Sequence, residues 1–284
     1  MGKRERWFEL AKRDPLIIIN ESPMLPHHAE TVQRTTDHFA TQPGVIGLLL
    51  GGSLAHGFET PGSDVDVMIV VSDAEHRERL KNGTTCFFSR ELCTYADGYV
   101  DGKYTSLAFM DEVEARGSEP ARFAFQDARV LFARDASLPS RLQGIARYPV
   151  EEKAARLWRF QAQFEAWHWY TGQALAKNNL TLLRTAVGKL VLFGGRIVLA
   201  HNETLYPFHK WFLRVLEGVP HQPPGLLAQI HGLALEPTRE SIDQFAQNIR
   251  GFRPWEISHA TWPAQFMADS ENNWLTHPAP VDDI

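Results

Sequence analysis

Residues 51–70 read GGSLAHGFETPGSDVDVMIV, and the parsing of this stretch decides the fold. Val65 to Val71 is an apolar run rich in β-branched residues, the composition of a strand. Just upstream, Val45-Ile46-Gly47-Leu48-Leu49-Leu50 is a short apolar run of buried-strand type. Between the two lie a glycine-rich turn, Gly51-Gly52-Ser53, and a helix-or-loop segment reaching Gly62. Side chains alternate along a strand, so Asp64 and Asp66 are expected on one face, toward one ion. The glycines let backbone amides approach a phosphate closely, and the Ser53 hydroxyl offers a further donor. Hard oxygens on a rigid strand suit Mg²⁺, which takes one or two carboxylates plus substrate phosphates. Two such ions can clamp the attacking and leaving oxygens of an in-line displacement at phosphorus. Other motifs are excluded. Gly51-Gly52-Ser53-Leu54-Ala55 lacks the final glycine of a nucleophile elbow, and no Gly-Lys-Ser/Thr follows to make a Walker loop.

Working outward, His27 to Thr41 has few breakers and reads as a helix closed by Pro43-Gly44. Cys86 to Tyr95, an Asp97-Gly98 turn and Tyr99 to Phe109 read as a hairpin that adds strands. After Pro149 the pattern changes. From Glu151 to Lys177 the residues Leu157, Phe160, Phe164, Trp167 and Ala174 follow helical spacing. Leu180 to Ala200 is a second helix, apolar almost all round, and Pro207 can start a third through Trp211 to Leu216. Two weaker helical segments and a Pro- and Trp-containing tail follow. The expected fold is α+β: a mixed sheet with flanking helices over 1–148, then an all-helical bundle over 149–284.

The chain's 284 residues, 44% hydrophobic and 22% charged, suit a globular protein with a sizeable core. A net charge of −5 lacks the basic footprint of a general nucleic-acid binder. Cys86 and Cys93 stand without a CxxC pair or metal spacing, so reduced thiols are expected. The charged start, Met1 to Trp7, and the short apolar run Leu16 to Ile19 form no membrane span, and a cytoplasmic protein is expected. Adjacent His27 and His28 point to different faces of a helix and are not read as a metal site.

The Gly52-Ser53, ten-residue, Asp64-x-Asp66 pattern, with Gly57 and Ser63 at their places, resembles the polymerase-β-like nucleotidyltransferase superfamily, in its small-molecule and antitoxin branches. The resemblance implies a small mixed sheet flanked by helices, Mg²⁺ (two ions) and an NTP, with Gly52, Ser53 and Ser63 meeting the nucleotide. It implies transfer of a nucleoside monophosphate, AMP from ATP as the first expectation, with release of pyrophosphate. The family's third carboxylate follows an apolar-Asp-x-basic pattern, which Val100-Asp101-Gly102-Lys103 fits. If Asp101-Gly102 were instead the hairpin turn, Asp97 or Asp111 would take that place.

In the helical half, Thr185, Lys189 and Arg196 fall in one stripe of an apolar helix. Buried cations there need anionic partners, which are phosphates, as in antibiotic-modifying members of the family, or acids of a neighbouring helix; otherwise the cations lie at the domain edge. Asn202 to Trp211, NETLYPFHKW, resembles a Tyr-Pro-x-x-Lys-Trp segment of such transferases, which puts Lys210 forward as a nucleotide contact or a solvated lysine. Glu165 and His168, a turn apart, are candidates to line an acceptor pocket, with Glu165 as general base, or simply an exposed pair. The tail Phe266 to Trp274 either folds over a cleft or caps the helical domain.

The architecture resembles aminoglycoside and lincosamide nucleotidyltransferases most. The expected partners are an NTP and a small hydroxylated acceptor, with a possible link to antibiotic resistance and no membrane. The alternatives are AMP transfer to a protein or tRNA, or a non-catalytic nucleotide-binding antitoxin or regulatory module. Arg196, four residues, then His201 is a spacing of helical ribonuclease toxins, but Ile197 replaces the polar residue usual after the arginine.

Overall fold

The computed structural model describes residues 24–253 and 261–279. The chain-start runs Met1 to Trp7 and Leu16 to Ile19 lie outside the described residues. The chain divides into two compact units, the first ending at Arg147 and the second beginning at Tyr148.

The first unit is built on a sheet of five strands: β1 (Val45–Leu50), β2 (Val65–Val71), β3 (Cys86–Ser89), β4 (Val100–Ser106) and β5 (Arg129–Ala133). Their spatial order is β3-β4-β2-β1-β5. Only the central β2–β4 pair runs parallel, so the sheet is mixed. One face of the sheet, with Val65, Val67, Ile69 and Val100, packs with Val32 and Phe39 of helix α1 (Pro26–Ala40). The other, with Val70 and Leu49, packs against Met110 and Val113 of α4 (Leu107–Arg116) and Leu142 and Ile145 of α6 (Leu138–Ile145). Each such aliphatic side chain contributes about 1.5–3 kcal/mol on burial. The remaining helices of the unit are α2 (Gly52–His56), α3 (Asp73–Asn82) and α5 (Glu119–Phe123).

The second unit is helical: α7 (Lys153–Ala176), α8 (Leu180–His201), α9 (Phe212–Glu217), α10 (Leu226–Leu235), α11 (Arg239–Phe252) and α12 (Trp262–Asp269). Its core gathers Phe164, Leu190, Ile197, Leu216, Ile230 and Phe245. Gly194 and Gly195 permit close approach of rings: a Cβ on Gly194 would lie 2.9 Å from Phe245, and one on Gly195 would overlap Phe212. That packing explains why α8 is apolar around most of its circumference.

Three expectations need correction. The hairpin is shorter than its pattern: β3 ends at Ser89, an irregular segment follows, and β4 stops at Ser106. There the Ser106 hydroxyl accepts from the Phe109 amide (3.3 Å), which turns the apolar Leu107–Phe109 into the start of α4. Pro207 does not open a helix, because Phe208 takes a left-handed φ of 69° and the helix begins only at Phe212. Finally, the pattern marks no element over Asp73–Asn82 or after Phe109 in the first unit, yet α3, most of α4, α5, α6 and β5 lie there.

The tail packs on its own unit. Phe266 is buried, with its ring centroid 6.2 Å from Trp167 and 6.1 Å from Tyr170 of α7. Cys86 and Cys93 are free thiols. Among the described residues, no helix is long and apolar enough to cross a membrane.

Candidate active site

The antiparallel β1–β2 pair brings the glycine turn against the first residues of β2. The Gly51 amide donates to the Asp66 carbonyl at 2.9 Å. Gly52 follows with φ of 60°, a left-handed conformation that glycine adopts without cost. A Cβ there would overlap the Asp66 carboxylate and lie 2.6 Å from the Asp66 Cβ, so only a glycine fits this backbone over this acid. Ser53 is 4% exposed, and its hydroxyl is buried without a hydrogen-bond partner. A buried hydroxyl left unmatched carries a desolvation cost that an arriving acceptor oxygen would relieve. On the far side of α2, an Arg129 guanidinium nitrogen donates to the Leu54 carbonyl at 2.8 Å and ties the turn to β5.

The parallel β2–β4 register pairs Asp66 with Asp101 and Val65 with Val100, and the Val65 amide donates to the Tyr99 carbonyl at 3.1 Å. Directly paired residues in neighbouring strands share a face. Asp64, Asp66, Tyr99 and Asp101 therefore form a two-by-two array on one face, half-buried at the open end of the sheet. The Tyr99 hydroxyl hydrogen-bonds the Asp64 carboxylate. That bond first, and then the nearby negative charge of Asp64, Asp66 and Asp101, push its pKa above the ordinary phenol value. Tyr99 thus stays protonated beside Asp64.

The register sets Asp101, and neither Asp97 nor Asp111, beside Asp66. The tight turn falls at Asp97-Gly98, where Asp97 has φ of 59° and the Gly98 amide donates to the Tyr95 carbonyl. Asp111 sits on α4 in an ion pair with Arg141. Asp101 is the one beside Asp66.

Asp64 is also held from behind. The Tyr95 hydroxyl donates to the Ser63 carbonyl at 2.5 Å, and a His28 ring nitrogen bonds the same oxygen at 3.1 Å. His27 reaches the Pro61 carbonyl at 2.9 Å. The expectation that the two histidines diverge is thereby corrected: their rings touch edge-on, 4.2 Å apart, because the first turn of α1 leans on the loop before Asp64. Burial, then the neighbouring His27, lowers the His28 pKa. Burial, then Cys93, pushes the Tyr95 hydroxyl up, so it stays a donor. Ser63 uses its hydroxyl locally, accepting from the Thr60 amide at 2.8 Å. Sequence reasoning missed Tyr99, Tyr95 and His28. Tyr99 was legible as the residue two before Asp101, on the same strand face; the other two act through the fold.

Asp66 and Asp101, side by side beneath a turn with a buried, unpartnered hydroxyl, fit a hard divalent cation shared with phosphate oxygens. Among the described residues no three His, Cys, Asp or Glu side chains close into a metal cage by themselves.

The helical-unit candidates are placed differently. On α8, Thr185 and Lys189 are exposed, as the domain-edge alternative allows, and half-buried Arg196 lies 4.3 Å from the ring centroids of both Phe160 and Tyr206. Lys210 is exposed, its ammonium 5.0 Å from the Trp211 ring centroid. Glu165 and His168 are not an open pair. Arg250 donates to both Glu165 oxygens, at 2.8 and 2.6 Å, and approaches His168 Nδ1 at 3.2 Å, while His168 Nε2 meets Asp243 at 2.8 Å. A carboxylate occupied on both oxygens is poorly placed to take a proton from an acceptor.

Sheet order, register and the glycine turn over paired acids all lie in the first unit, and so does the family match. Residues 33–117 match the family model described as a nucleotidyltransferase domain, a match that supports nucleotidyl transfer in general. A solved structure, a nucleotidyltransferase-like protein from Exiguobacterium sibiricum 255-15, is similar at 10% identity and a TM-score of 0.46, covering 90% of this chain and 82% of that one. No curated protein matches the chain.

Proposed function

We propose that the protein transfers a nucleoside monophosphate, AMP from ATP, to a hydroxyl of a small aminoglycoside- or lincosamide-like acceptor, releasing pyrophosphate. The observation that carries this reading is the Asp66–Asp101 register pair beside Gly52 and the unpartnered Ser53 hydroxyl. In this reading the turn at Gly52-Ser53 receives the triphosphate, with the Ser53 hydroxyl donating to a phosphate oxygen. Asp64, Asp66 and Asp101 would hold Mg²⁺, which supplies charge neutralisation for the phosphates. Tyr99 keeps Asp64 oriented. The acceptor oxygen bonds to the α-phosphorus as the bond to the β-phosphate oxygen breaks. The Asp101 carboxylate takes the acceptor's proton and pyrophosphate departs.

The test is pyrophosphate release with Mg²⁺, each NTP in turn, and a panel of hydroxylated antibiotics, tRNA and protein acceptors. Release with a small acceptor, lost on Asp66→Asn, is the expected result. Label appearing on RNA or protein instead would overturn the acceptor class, and nucleotide binding without turnover would overturn the enzymatic reading.

A further inference from the structure

β3 is the edge strand beside β4, and its antiparallel register sets Phe88 directly opposite Asp101. Cross-strand partners share a face, so Phe88 stands on the face that carries the acids. Its ring lies 5.3 Å from that of Tyr99, tilted by only 31°. Phe88 is 60% exposed, whereas its neighbour Phe87 turns to the opposite face and packs on Phe39 at 5.0 Å. Phe88 thus offers an accessible aromatic face that adjoins both Tyr99 and the acids of the candidate active site.

The order across the sheet gives the ledge its role. The glycine turn follows β1, the first two acids belong to β2 and its approach, Tyr99 and Asp101 to β4, and Phe88 to β3. In an in-line displacement the nucleophile enters opposite the leaving group. With pyrophosphate over Gly52-Ser53, the acceptor enters from the β4–β3 side, across Tyr99 and Phe88.

We propose that Phe88 and Tyr99 form an aromatic ledge that binds the ring of the acceptor. Aromatic faces hold the C–H faces of sugar-like rings, and three carboxylates against the single exposed cation of β4, Lys103, favour a cationic ligand. The proposal rests on the nucleotidyl-transfer reading above.

The test uses the full chain loaded with Mg²⁺ and the α,β-methylene analogue of ATP, with kanamycin as the probe. Saturation-transfer NMR reads contact between aromatic protons and the kanamycin rings, and calorimetry reads both affinities. Kanamycin is expected to bind, about tenfold more weakly to Phe88→Ala, with Phe88→Trp restoring it and the nucleotide analogue binding all three alike. Failure of kanamycin to bind the loaded protein, or equal binding by Phe88→Ala, overturns the ledge alone. Loss of analogue affinity in Phe88→Ala overturns it too, by assigning the rings to the nucleobase. If the wild-type chain does not bind the analogue, the nucleotidyl-transfer reading falls and takes the ledge with it.

Discussion

Gly52 is the residue on which the site's geometry is tightest, since its left-handed φ and the absent Cβ both serve the approach to Asp66. Gly52→Ala should therefore cost about 1–3 kcal/mol in backbone strain and displace the carboxylate. A displacement of that kind costs on the order of 100-fold in turnover, checked by kcat for pyrophosphate release beside the melting temperature. Tyr99→Phe is milder: it keeps the ring and removes only the donor to Asp64. Residues that orient a metal-binding group typically matter by roughly 10- to 100-fold, so kcat should fall by about that factor with folding intact. Unchanged kcat would mean that Asp64 needs no orienting partner.

At the scale of elements, the start of α1 and the loop before Asp64 form one polar joint through His27, His28 and Tyr95. His28 is buried and its pKa lies below the ordinary 6.5. The unfolded chain therefore binds more protons than the fold in the window just below that value, and stability declines as pH drops through it. Thermal unfolding followed between about pH 5 and pH 8 should show this decline, shallower in His28→Gln, which keeps a donor for the Ser63 carbonyl but cannot titrate. An identical slope in the variant would remove His28 from the account. The same scale explains what the sequence made legible. β1 and β2 are apolar runs, largely buried, and their bounds follow from composition. Helix α3, Asp73–Asn82, has only His76 buried and thus no apolar stripe to read; it is fixed instead by the Ser72 cap and Gly83 at its end. β5 is five residues at a sheet edge, too short to outweigh its surroundings. The paired acids were legible as residues, while the contacts of His27 and His28 with Pro61 and Ser63 depend on which loop α1 touches.

For the whole molecule, the two units carry separate cores, each with its own polar fastening. In the helical unit that fastening is Glu165–Arg250–His168–Asp243. Arg250→Ala strands a Glu165 side chain that is only 11% exposed, while Arg250 itself is 35% exposed, so the pair is partly screened. The expected loss is on the order of 2 kcal/mol, read by denaturant unfolding of the full chain. Glu165→Gln, which keeps the shape and weakens the pair, should lower stability more than it lowers kcat; the reverse would return Glu165 to the role of general base. The net charge of −5 is compatible with cationic acceptors, and the candidate acids are gathered at one end of one sheet.

The most direct test of the central claim needs no acceptor. Calorimetry of the wild-type chain with the α,β-methylene analogue of ATP, with Mg²⁺ and then with excess chelator, should show binding only with the metal. Asp66→Asn should weaken that binding by roughly 100-fold while leaving the melting temperature near wild type. Binding that persists in chelator, or that is as strong in Asp66→Asn as in the wild type, would contradict a metal-bridged triphosphate site on these acids.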